Sequence, residues 1–77
     1  MTISEIGRFV RNQRREHNLR QAELAAIAGV GTRFVSDLEN GKFSLEMGKA
    51  IQVLETVGLE LAVARRSSNW ETDRGAQ

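Results

Sequence analysis

Residues 29–42, GVGTRFVSDLENGK, decide how this chain is read. Two glycines bracket Val30, and the stretch then takes the phase of a helix. Val35 and Leu38 fall on one side, while Thr32, Arg33, Ser36, Asp37 and Asn40 fall elsewhere. Asn40-Gly41 is a strong stop and turn. With Val35 and Leu38 inward, Arg33 and Asn40 point almost directly out, with Ser36 and Asp37 beside them. A long Lys or Glu face would suit bulk water; this short, forked polar set suits a more demanding partner.

Upstream, Gln21 to Ala28 reads as a second short helix with Leu24, Ala25 and Ala28 inward. Gly29 ends it, because a helix terminus commonly needs a left-handed residue and glycine takes that shape at no steric cost. Val30 fills the corner. Further upstream, Thr2-Ile-Ser-Glu5 fits a capping box, and Ile3, Ile6 and Val10 form the apolar stripe of a first helix. That helix is expected to run to about His17 and to end at Asn18, with Leu19 plugging the joint. Ala25, Gly29, Val35 and Leu38 make an A-x3-G-x5-V-x2-L pattern, which matches the close crossing of a helix-turn-helix.

Downstream, Ser44 is expected to cap a fourth helix, with Met47, Ala50, Ile51, Leu54 and Val57 at three-four spacing and Gly58 as its stop. The period then changes to two: Leu59, Leu61 and Val63 alternate with Glu60, Ala62 and Ala64, as in a half-buried strand. A lone strand has nothing to pair with in its own chain. Pairing with the same strand of a second copy across a two-fold axis is the expected solution; an extended tail along the fourth helix is the alternative. Residues 65–77, RRSSNWETDRGAQ, are polar and aperiodic and read as a disordered tail. Trp70 stands out there as a candidate anchor for a partner. The expected division is therefore 1–58 helix-turn-helix domain, 59–64 dimerisation strand and 65–77 tail.

Composition narrows the function. A chain of 77 residues makes one small domain with a modest core. It has no cysteine and one histidine, so disulfides and thiolate metal sites are excluded and a partner subunit is left as the stabiliser. Leu, Ala and Glu are frequent and proline is absent, which favours helix. No apolar run reaches the length of a membrane span and no signal pattern opens the chain, so a cytoplasmic protein is expected. The net charge of +1 hides an asymmetry: residues 1–42 hold seven Lys or Arg against five acids. That balance permits a nucleic-acid partner and equally describes a solvated face. Nothing in the chain equips it for catalysis, and no cofactor is expected.

The stretch LRQAELAAIAGVGTRFVSDLENGK (19–42) resembles the helix-turn-helix of the XRE-type, phage-repressor-like regulators. The resemblance covers residues 3 to about 57 and implies an all-α, lambda-repressor-like fold of four or five short helices. SLEMGKAIQVLETVGLELAV (44–63), with a strand candidate directly after a helix, resembles the HipB-type antitoxins, which bind DNA, dimerise through C-terminal strands and partner HipA-type kinase toxins.

The resemblance implies roles. Gln21 contacts the DNA backbone and braces the recognition helix. Thr32 and Arg33 read base edges, with Ser36 and Asp37 on the next outward turn. Asn40 and Lys42 hold phosphate. Arg14 and Glu39 form a structural ion pair between the first and third helices. Two positions depart from the family pattern. Gly31 stands for the usual Ser cap. Arg20 stands for Thr, losing a hydroxyl cap and adding a possible phosphate contact. An arginine at position 33 suits guanine, whose O6 and N7 accept two hydrogen bonds. Asp37 either holds that guanidinium in plane or accepts from a cytosine amine. Phe34 either touches a thymine methyl or packs against the second helix. Leu59, Leu61 and Val63 are the expected dimer contacts. The expected function is an operator-binding repressor and HipB-like antitoxin, with inverted-repeat double-stranded DNA, a second copy and a HipA-like toxin as partners. A free-standing repressor is the alternative.

Overall fold

A computed structural model of the chain describes residues 1–65. Four helices follow one another: α1 (Ile3–Glu16), α2 (Gln21–Ala28), α3 (Thr32–Glu39) and α4 (Met47–Thr56). None is long and apolar enough to cross a membrane.

Local chemistry sets the boundaries from the start of α1 to the start of α3. Thr2 Oγ1 accepts from the Glu5 amide at 3.2 Å, and Glu5 Oε1 accepts from the Thr2 amide at 2.6 Å, closing the expected capping box. The Thr2 amide, chiefly, holds the Glu5 carboxyl below its ordinary range. α1 stops at Glu16, and Asn18 takes the left-handed φ of 58° that turns the chain. At the start of α2 the Glu23 carboxylate accepts from the Arg20 amide at 2.7 Å, but an arginine side chain has no acceptor to return. Gly29, at φ 77°, ends α2, and Gly31 caps α3 without any side-chain bond.

The core is made where the inner faces of the four helices meet. Val10 of α1, Leu24 of α2, Val35 and Leu38 of α3, Val53 of α4 and Val57 just after it are fully buried, with Ala25, Ala50 and Leu54 around them. α3 packs on both α1 and α2, and α2 also packs on α4. Phe34 is half-buried and packs against this core. Gly7 makes the α1–α3 approach possible. A Cβ there would overlap the Leu38 and Glu39 carbonyl groups.

Two expectations fail downstream of α3. Ser44 does not cap the fourth helix; α4 begins at Met47, with Glu46 at its N-cap and no side-chain cap bond. The reason lies in Leu45, which packs against the core and holds the chain out of helix until after it. The buried face of α4 is also rotated. Val53 is fully buried, whereas Met47 is mostly exposed and Ile51 only half-buried, so the true set is Ala50, Val53, Leu54 and Val57.

The strand expected over 59–64 is not formed in the single chain. A strand exists only as part of a ladder, and no other extended segment among the described residues offers one. Leu59 donates its amide to the Leu54 carbonyl at 2.8 Å and packs on the core, while Leu61 is 39% exposed and Val63 99% exposed. Trp70 and residues 66–77, including almost all of the expected tail, lie outside the described residues.

Candidate nucleic-acid interface

Two charge clusters flank α3. The first is buried and centres on Glu39. Arg14 Nε donates to Oε2 at 2.6 Å and Arg14 Nη2 to Oε1 at 2.9 Å, while Arg14 Nη1 reaches the Leu19 carbonyl at 2.9 Å. Gln21 Nε2 donates to the same Oε1 at 3.0 Å, and Arg11 Nε does so at 3.4 Å. Burial works against the Glu39 charge, but the hydrogen bonds from Arg14, Gln21 and Arg11 outweigh it and hold its pKa below the ordinary value. The same pairing raises Arg14. This node ties α1 and the start of α2 to the last turn of α3.

The second cluster is open. Arg33 Nε lies 3.6 Å from Asp37 Oδ1, one turn along α3, and Lys42 Nζ lies 3.6 Å from Asp37 Oδ2. The Arg33 side chain is 89% exposed and that of Lys42 54%, while Asp37 between them is 23% exposed. At 3.6 Å these are ion-pair contacts outside hydrogen-bonding range. An exposed pair of this kind contributes about 0.3–0.5 kcal/mol, so the guanidinium is cheaply released to a better acceptor.

Residues 10–63, more than half of the chain, match a family described as helix-turn-helix. The chain belongs to the XRE-type helix-turn-helix family. It is 52% identical over 62 residues to the HTH-type transcriptional regulator y4mF of Sinorhizobium fredii, covering 80% of this chain and 82% of that protein. It is 24% identical over 71 residues to the ImmF control region 10 kDa protein of Bacillus phage phi105, covering 92% of this chain and 79% of that one.

Within this XRE-type frame the expected site residues separate into groups. Arg33, Asp37 and Lys42 are brought together. Gln21 and Asn40 are linked through the Glu39 node instead, since Asn40 Oδ1 accepts from Arg11 Nη2 at 3.3 Å. Thr32 and Ser36 sit on α3, exposed and half-buried, and Arg20 is exposed at the N-cap of α2. Arg11 is the member of the constellation that sequence reading missed. Its signal was present, because Arg11 and Arg14 stand three apart on one helix face and so reach one acceptor.

Proposed function

We propose that this XRE-type protein is a DNA-binding transcriptional repressor that reads its operator with α3. The exposure of Arg33, held only by a weak pair to Asp37, is the observation that carries the reading. In this reading Arg33 donates to a guanine edge and Asp37 orients it or accepts from a neighbouring cytosine. Thr32 and Ser36 lie along the same groove-facing helix, and Arg20, Gln21, Asn40 and Lys42 hold phosphates. The family membership and the transcriptional-regulator relative support it.

The repressor acts as a homodimer paired through Leu59, Leu61 and Val63, on an inverted repeat whose half-site centres lie about 34 Å apart or a multiple of that. The exposure of Leu61 and Val63 supports this pairing, and sedimentation equilibrium measures it. The resemblance of residues 44–63 to HipB-type antitoxins extends the reading to an antitoxin that autoregulates its operon and restrains a HipA-like kinase, with Trp70 as the candidate contact. Copurification with the product of a neighbouring reading frame tests that extension. A free-standing repressor is the second reading, favoured by the likeness to a phage control-region protein.

The decisive experiment is a randomised operator library. Arg33→Ala should cost about 1–3 kcal/mol on the cognate site and relax one position per half-site, whereas Lys42→Ala should weaken all sequences alike. Uniform loss in both variants would remove α3 as the reader.

A further inference from the structure

One side chain joins the buried node to the open face. Arg11 donates through Nε to Glu39 Oε1 at 3.4 Å and through Nη2 to Asn40 Oδ1 at 3.3 Å. An arginine carries donors only, so the end of the Asn40 amide that meets it is the carbonyl oxygen. The amide nitrogen is therefore turned away from Arg11, at the exposed end of α3.

We propose that Arg11 is a positioning residue that fixes Asn40 as a hydrogen-bond donor to a DNA phosphate and withdraws it from base reading. This rests on the DNA-binding reading above. An asparagine that reads adenine must present an acceptor and a donor together. With one lone pair of its oxygen taken by Arg11, Asn40 keeps its N–H group as the end left free to turn to a partner, and phosphate oxygen is the acceptor a duplex offers most readily to a single N–H group. Arg11 itself is divided between two acceptors and its side chain is 36% exposed, so its part is to aim Asn40 rather than to grip the duplex. Through Glu39 the same guanidinium shares its anchor with Arg14 and Gln21, which makes the orientation of Asn40 a property of the fold.

The test uses the full chain and a labelled mixed-sequence duplex, read by fluorescence anisotropy, with Asn40→Ala, Arg11→Lys and the double variant. Asn40→Ala should weaken binding about tenfold, the effect of one hydrogen bond to a charged group. Arg11→Lys keeps the charge but cannot fork to two acceptors. It should show a comparable loss with an unchanged salt dependence, and the double variant should bind no more weakly than Asn40→Ala alone. Losses that add would overturn the proposal, because Arg11 would then contact DNA by itself. If Arg11→Lys melts below the assay temperature, Arg11→Gln takes its place in the same cycle, and Asn40→Ala is also read on a randomised library. Uniform loss supports the phosphate role, and loss confined to sites with adenine at one position overturns it. Failure of the unmodified chain to bind any duplex would instead remove the DNA-binding reading itself.

Discussion

Glu39 and Asp37 stand two residues apart on α3, and each gathers cations from outside its own turn. Two residues of helix place them on different faces. Glu39 turns inward, where its side chain is fully covered and accepts from three other side chains. Asp37 turns outward, where Arg33 and Lys42 hover at 3.6 Å and remain largely in water. The same chemistry thus does two jobs. Where water is excluded, a carboxylate needs every donor it has and becomes a fastener; where water remains, it becomes a loose guide for cations that a nucleic acid can claim. Burial, far more than charge count, separates framework from interface here.

The sharpest way to break this contrast is to remove a cation from the buried side. Arg14→Met should cost about 3 kcal/mol, because it takes the closest cation from a buried carboxylate and leaves it only Gln21 and a long bond from Arg11, and thermal unfolding should register it as a drop of roughly 4–8 °C for each kcal/mol in a domain of this size. A change of only a few tenths would mean that the Glu39 node is an open ion pair after all. Gly7→Ala comes next. It pushes a methyl group into the carbonyl groups that end α3, and an overpacked contact of this kind costs about 1–3 kcal/mol. Urea unfolding should show a lower midpoint at an unchanged slope.

Acid offers a gentler probe. Glu39 titrates below its ordinary value when folded, so the unfolded state binds its proton first as the pH falls. The stability it contributes is complete above the unfolded carboxylate value and is lost as the pH drops through the depressed folded one. Glu39→Gln should therefore flatten the acid limb of a stability–pH curve while lowering its neutral plateau; a parallel curve would place the acid sensitivity elsewhere. The smallest effect belongs to the open side. Asp37→Asn should move stability by less than about 0.5 kcal/mol, and a loss matching that of Arg14→Met would erase the distinction between the clusters.

The sequence was most legible where structure is local. The span of α2, the Thr2–Glu5 box, the turns at Asn18 and Gly29 and the outward phase of α3 all follow from neighbouring residues, and all appear in the structure. The Arg14–Glu39 tie came from family resemblance, since nothing within either helix announces it. What escaped was tertiary. Ser44 has the chemistry of a cap, but Leu45 finds a place on the core and delays the helix. Met47 and Ile51 keep helical spacing with Ala50, yet the faces of α1–α3 select Val53 instead. Gly7 carries no pattern at all, because its meaning is the backbone of another helix. Arg11 looked like one more surface base until Glu39 and Asn40 were brought to it.

The anchoring of α3 by Glu39 also has an entropic consequence. Val35 and Leu38 fix the helix along its inner face, and the Glu39 node fixes its last turn to two other helices. If α3 is the reading helix proposed above, it meets a duplex with its backbone already ordered, and docking restricts only side chains. For Arg33 and Lys42 that restriction costs about 0.5–1.5 kcal/mol each. A reading helix that had to fold on arrival would lose about 1–2 kcal/mol for every backbone residue it ordered. On the proposed reading, eight residues of α3 ordered in advance therefore matter more to affinity than any single contact on its outer face.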